Sequence, residues 1–202
     1  MAPRVAIVYY SIYGNIRTMA LAVQAGIEKA GGKADLYQIQ ETLPQEVLAL
    51  MQAPPKSDDP IATPETLTNY DAFLFGIPTR YGNFPAQWKT FWDAAGSLWA
   101  TGALSGKYAG VFVSTANSGG GQETTVSNSL STLTHQGIIY VPLGYKYTFP
   151  EASNLEEVHG GSPWGAGTFA GSRGSRQPTE LEKKMATIQG EAFWNTVSKV
   201  NF

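Results

Sequence analysis

The run Val5-Ala6-Ile7-Val8-Tyr9-Tyr10 leads into the hexapeptide Ser11-Ile12-Tyr13-Gly14-Asn15-Ile16 and then into an amphipathic stretch. This order constrains the fold more than any other feature of the chain. A short apolar run of this kind reads as a buried strand, Val5 to Tyr10. Behind it, Ile16, Met19, Ala20, Val23 and Ile27 recur at i, i+3, i+4, i+7 and i+11, one face of a helix predicted from Ile16 to Ala30. The hexapeptide is therefore a strand-to-helix turn at the start of an α/β domain. Such a turn aims free backbone N–H groups and the positive end of a helix dipole at one spot, a setting for phosphate.

The type of phosphate follows from what the turn lacks. A nucleoside-triphosphate loop ends in Lys-Ser or Lys-Thr, and a dinucleotide fingerprint carries three spaced glycines. Here there is no lysine and only Gly14. Ser11, Asn15 and the N–H groups from Gly14 onward suit one terminal monoester phosphate, which points to a mononucleotide such as FMN. The same residues also suit an ordinary βα turn with an N-cap serine.

Apolar segments recur at Ala34–Ile39, Ala72–Ile77, Tyr108–Ser114 and Ile138–Pro142. Between and after them, helices are predicted at Pro85–Leu98, Gln122–His135 and Thr179–Val200. This βαβα alternation predicts an α/β, doubly wound parallel sheet with right-handed crossovers. Five strands favour the flavodoxin-like order 2-1-3-4-5. The 202 residues suit a single domain, 1–202. Two stretches exceed a minimal domain. Pro44 to Thr68 is proline-rich, with a short helix expected at Gln45–Met51. Pro142 to Pro178 is long and Gly-rich, with Tyr145, Tyr147, Phe149, Trp164 and Phe169 interleaved. Its aromatics argue for an ordered loop packed on another subunit.

Composition narrows the function. A net charge of −2 with no basic run disfavours nucleic acid and acidic membrane surfaces. The chain has no cysteine, which excludes thiolate chemistry and disulfides, and its two histidines make a metal cluster improbable. No apolar run approaches a membrane span, and no targeting segment precedes the first strand, so a cytoplasmic location is expected.

In such a sheet, ligands bind outside the carboxyl ends of the strands where the order reverses. That selects the loops after strands one, three and four. The loop after strand three, Pro78-Thr79-Arg80-Tyr81-Gly82-Asn83-Phe84-Pro85, combines an aromatic face, a cation and residues tolerant of positive φ. Arg80 would offset negative charge on a reduced ring. The loop after strand four, Ser114-Thr115-Ala116-Asn117-Ser118-Gly119-Gly120-Gly121, leaves its backbone bare for pyrimidine-ring atoms. Trp99, expected just beyond its helix, is a candidate ring wall. His135 at a helix end is read either as a partner of the C-terminal dipole or as a catalyst.

With these motifs assembled, the chain resembles the WrbA-type NAD(P)H:quinone oxidoreductases, the fungal members in particular. The resemblance runs through Ser11–Ile16, Gly76–Asn83, Trp99–Leu104 and Gly119–Glu123. It continues through Thr134–Gly137, Ser162–Gly167 and Arg176–Pro178. It implies FMN, with Ser11, Ile12, Tyr13, Gly14, Asn15 and Ile16 at the phosphate. Thr79, Arg80, Tyr81, Gly82 and Asn83 would flank the isoalloxazine. Ser114, Thr115, Ala116, Asn117, Ser118, Gly119 and Gly120 would meet its pyrimidine side. It implies that Tyr13 meets the NADPH or NADH donor and that Trp99 and His135 border the substrate cavity, with His135 also near the cofactor. The implied reaction is two-electron reduction of a quinone by hydride transfer through flavin N5, in oxidative-stress protection, by a homotetramer. The chain departs from the family at Tyr81, where many members carry phenylalanine, and at Ala116-Asn117-Ser118, where Gly-Thr is usual. Gln136 stands where bacterial members often have a second histidine, and Arg17 replaces an acidic residue and is expected to reinforce the phosphate site. A one-electron shuttle, or an FMN-binding regulatory or scaffold protein, stays open on the residues alone.

Overall fold

A computed structural model describes residues 2–202. Its centre is a parallel sheet of β1 (Val5–Tyr9), β2 (Ala34–Gln38), β3 (Ala72–Pro78) and β4 (Tyr108–Thr115) in the order β2-β1-β3-β4. β3 runs beside β4 along its length, from Ala72 against Tyr108 to Pro78 against Ser114. The other edge of β4 is shared by two short strands. β5 (Ile139–Tyr140) pairs with Tyr108 and Ala109, and β6 (Gly167–Phe169) pairs with Val113 to Thr115. The fifth position of the flavodoxin-like order is thus filled in two pieces, and residues 141–166 are an insertion between them.

Strand alternation divides the core between the two faces of the sheet. Val5, Ile7 and Tyr9 of β1 face α1 (Asn15–Lys29) and α7 (Glu180–Val197), where Met19, Val23, Ile27, Phe193 and Val197 are buried. Ala6 and Val8 face the other layer, built from α3 (Ala86–Asp93), α4 (Gly96–Thr101) and α5 (Gln122–His135). There Trp88 and Trp92 pack on Phe75. Glycines let α1 and α7 lie close. A Cβ on Gly26 would sit 1.9 Å from the Thr187 carbonyl oxygen, and one on Gly190 would sit 2.0 Å from that of Val23.

Two expectations change, and the short helix expected in the proline-rich excursion is present. The helix predicted from Pro85 to Leu98 is two helices, broken around Ala94 and Ala95, and Trp99 lies inside the second one rather than beyond it. The proline-rich excursion holds α2 (Gln45–Leu50) and a 3-10 turn, Pro64–Asn69. The Gly-rich segment is not simply a loop turned toward another subunit. It forms α6 (Phe149–Ala152) and β6, and it buries Leu143, Thr148, Ala166, Thr168 and Phe169 within the chain. Tyr145, Tyr147 and Phe149 remain exposed.

Candidate active site

The carboxyl ends of β1, β3 and β4 meet around a cleft of about 290 Å³. Ser11, Ile12, Tyr13 and Asn15 form one wall, Thr79 and Arg80 a second, and Ser114, Thr115 and Ala116 a third. These are members of all three predicted loops, brought together by the sheet order. A fourth wall, Ala170, Gly171 and Gly174, comes from the chain just after β6.

The first wall is shaped by Gly14. Its φ of 89° lies in the left-handed region, and a Cβ there would meet nothing within 4 Å. Backbone conformation, not crowding, therefore calls for glycine. The Gly14 N–H donates to Ser11 Oγ at 3.0 Å, which closes the turn. No side chain caps α1, so its first N–H groups stay available at the rim. Asn15 is buried and its amide donates to the Arg176 carbonyl oxygen at 2.6 Å. Ile16 is buried in the core layer of α1 and does not face the cleft.

The second wall is a tight, self-bonded loop. Arg80 N–H donates to the Asn83 carbonyl at 2.9 Å, and Asn83 N–H returns to the Arg80 carbonyl at 3.0 Å. Thr79 Oγ1 accepts from Gly82 N–H at 3.1 Å and from Thr125 Oγ1 at 2.7 Å. Between them Tyr81 has a φ of 54°, and its ring is fully exposed. Gly82 is buried, and Asn83 faces a neighbouring groove.

The third wall is shorter than predicted. Ser114 and Thr115 are buried, and Ala116 reaches the cleft, but Asn117, Ser118, Gly119 and Gly120 do not line it. Ser118–Gly120 is a 3-10 turn, and the Gly120 N–H is spent on the Asn117 carbonyl at 3.1 Å. Ser118 and Gly119 border a separate depression with Gln122 and Phe169. The glycines serve packing here: a Cβ on Gly120 would lie 2.6 Å from that of Thr115.

Trp99 and His135 line neither the cleft nor the groove beside it. Trp99 is 59% exposed on α4, and His135 is exposed at the carboxyl end of α5. Arg17 also departs from expectation. It is held by Asp59, with Nε to Oδ2 at 2.7 Å, rather than left free for a phosphate. That ion pair holds the Asp59 carboxyl below the usual range, and burial pushes the Tyr9 phenol, which donates to Asp59, up to about 12.

Two groups of site-supporting residues had little signal in the sequence. Lys56 donates to the Ser11 carbonyl at 2.8 Å and pairs with Glu41 at 2.6 Å. Glu41 also accepts from Tyr10, Gln87 and the N–H groups of Thr42 and Leu43. Burial opposes its charge, yet Lys56 and these donors outweigh it and hold the carboxyl below the usual range. The second group is centred on Glu182, fully buried, which receives Arg176, Thr168 Oγ1 and the N–H groups of Gly160, Phe169 and Thr179. The Thr179-x-x-Glu182 capping box is a readable helix start, but its reach to β6 is not.

Among the described residues no group of three His, Asp or Glu side chains is placed to hold a metal. An uncapped helix N-terminus and buried hydroxyls at one cleft, on a turn shaped by an open left-handed glycine, fit the phosphate and ribityl chain of a flavin mononucleotide. Residues 3–149 match the family described as NADPH-dependent FMN reductase. The chain belongs to that family.

This FMN reductase family member has close relatives among fungal proteins. It is 64% identical over 199 residues to the protein named NAD(P)H quinone oxidoreductase PST3 of Candida albicans, covering 98% of this chain and 100% of that one. It is 63% identical to Protoplast secreted protein 2 of Saccharomyces cerevisiae, over 98% of this chain and 99% of that one. Among solved structures, a flavodoxin, WrbA-like protein from Agrobacterium tumefaciens superposes with a TM-score of 0.66 at 23% identity. That match covers 97% of this chain and 98% of the other, and shows the shared fold. The protein is an oxidoreductase of the flavodoxin-like fold that uses FMN and NAD(P)H. Among the described residues no helix is long and apolar enough to cross a membrane.

Proposed function

We propose that this enzyme reduces quinones by two electrons at the expense of NADPH or NADH. The observation that carries this reading is the convergence of Ser11–Tyr13 with Asn15, Thr79–Arg80 and Ser114–Ala116 on one cleft. The names of its fungal relatives support quinone as the acceptor. When bound, FMN supplies hydride transfer between donor and acceptor. The chain's own residues bind and orient. Ser11 and the first N–H groups of α1 hold the phosphate, and Asn15, fixed by the Arg176 carbonyl, keeps that turn in place. Arg80 offsets negative charge at the ring edge, and Tyr81, exposed beside the cleft, flanks the isoalloxazine. Tyr13 contacts the donor.

His135 moves a proton to the quinone oxygen, and Trp99 walls the substrate space. Both are exposed and away from the cleft of their own chain, so they act from a neighbouring copy. That requires an oligomer, and the working form in this reading is a homotetramer. A donor kept reduced inside cells supports a cytoplasmic enzyme, whose removal of quinones without one-electron products would protect against oxidative stress.

The test is anaerobic addition of NADPH to the FMN-loaded protein. The flavin absorbance should bleach rapidly and return on addition of benzoquinone. A bound flavin that stays oxidised with both NADPH and NADH would overturn the reading and favour an electron shuttle or a regulatory flavoprotein.

A further inference from the structure

Beside the flavin cleft lies a larger groove, about 890 Å³ against about 290 Å³. Ile12 and Arg80 line both, so the two spaces share a wall. We propose that this groove binds the adenosine diphosphate half of the nicotinamide donor, with Arg80 and Lys89 meeting the diphosphate. The inference rests on the function proposed above. A nicotinamide that reaches a ring in the cleft leaves the rest of its dinucleotide outside, and the adjoining groove has the size for it.

Its chemistry matches that half-molecule part by part. Leu43, Met51 and Phe84 provide an apolar surface for a purine ring. Asn128, Ser131 and Thr132 of α5 provide amide and hydroxyl groups for a ribose. The charged residues lining the groove are Arg80 and Lys89, with no carboxylate among the lining side chains. A quinone needs neither cation. A diphosphate needs both.

The two cations are also available. No carboxylate pairs with Arg80 among the described residues, and its guanidinium donates only to the Thr79 carbonyl at 2.8 Å. Lys89 pairs with Asp93 one turn along α3, both ends well exposed. An exposed pair of that kind is weak and yields to a doubly charged ligand. The remaining depression near the cleft, below Gly14, contrasts with this. Its cations, Arg17 and Lys56, are already bound by Asp59 and Glu41. Tyr81, strained at φ 54° and exposed, stands at the edge where the groove begins. Such strain gathers at ligand-contact positions.

The test uses the FMN-loaded protein and Lys89→Gln, an exposed change that leaves the core untouched. The KM for NADPH and NADH should rise about fivefold with little change in kcat, the loss of one charge-assisted contact. ADP-ribose, followed by calorimetry, should bind the parent protein and bind the variant more weakly by a similar factor. The penalty should vanish with N-benzyl-1,4-dihydronicotinamide, which has no diphosphate, and Lys89→Arg should restore most of the affinity. Unchanged ADP-ribose binding, no ADP-ribose binding by the parent, or an equal penalty with the phosphate-free donor would overturn the assignment. Flavin that no nicotinamide donor reduces would instead overturn the proposed function, and ADP-ribose binding still reads the groove by itself.

Discussion

Tyr81 is a tyrosine held at φ 54° with its ring in solvent, so its own packing does not explain it. The surrounding bonds do: Arg80 and Asn83 close on each other, and the Gly82 carbonyl accepts from Asn128 at 2.7 Å. The strained backbone costs on the order of 1 kcal/mol. Tyr81→Gly should therefore leave stability unchanged or raise it by up to about 1 kcal/mol in urea unfolding, since glycine's extra unfolded-state freedom offsets part of the relief. Turnover should fall nonetheless. A clear loss of stability would mean that the ring contributes packing. Asp59 makes a pH prediction. Arg17 holds its folded-state carboxyl below the usual range. The unfolded chain then takes up the proton more readily, so the contribution is full above an ordinary value of about 3.9 and drains as pH falls through the lower folded value. Asp59→Asn should flatten the loss of stability below about pH 4, measured as urea midpoints across an acid series. An unaltered acid limb would remove Asp59 from that role.

At the scale of elements, the split fifth strand is what completes the site. β5 ends at Tyr140, the insertion leaves the sheet, and β6 returns to pair with Val113–Thr115. That return carries Ala170, Gly171 and Gly174 to the cleft, and a Cβ on Gly174 would lie 2.4 Å from that of Tyr13. Glu182 ties the return together, since it is fully buried and paired with Arg176, whose carbonyl in turn holds Asn15. Removing one partner of such a buried pair typically costs about 3–5 kcal/mol. Glu182→Gln keeps some acceptors, so about 3 kcal/mol is expected by urea unfolding, together with weaker FMN binding measured by flavin fluorescence. A destabilised variant that still binds FMN as tightly as the parent would sever the two effects and show that the phosphate turn does not depend on this anchor.

The whole molecule presents aromatic rings to solvent on separate elements: Trp99 on α4, Phe149 on α6, and Tyr145 and Tyr147 before it. These rings are the candidate contacts of the proposed tetramer. Sedimentation of the FMN-loaded protein should give a tetramer. Trp99→Ser with Phe149→Ser should shift it to smaller species and slow quinone turnover more than flavin binding. A monomer with full activity would require His135 and Trp99 to be dropped from the mechanism.

Periodicity and turn chemistry were enough to read the strand-turn-helix at Val5–Lys29, the order of the first four strands and the three loops at their carboxyl ends. The strands, helices and turns depend on residues close in the chain, where an apolar repeat of two or 3.6 and a glycine or proline decide the backbone, and the strand order follows from their βαβα alternation. Gly14 is the clearest case, legible as the turn residue and found with positive φ. The break between α3 and α4 was less legible, because helical spacing continues across Ala94 and Ala95. Lys56 on Ser11, Glu182 under β6, and Gly174 against Tyr13 had no local signal at all. Their partners lie far along the chain, and a long-range contact leaves no period to read. The sequence by itself thus determined the sheet and the kind of ligand its loops could hold. Only the tertiary structure decided which loop atoms face that ligand: it turned Asn117–Gly120 aside into packing, paired Arg17 with Asp59, and closed the cleft with a segment whose own spacing pointed elsewhere.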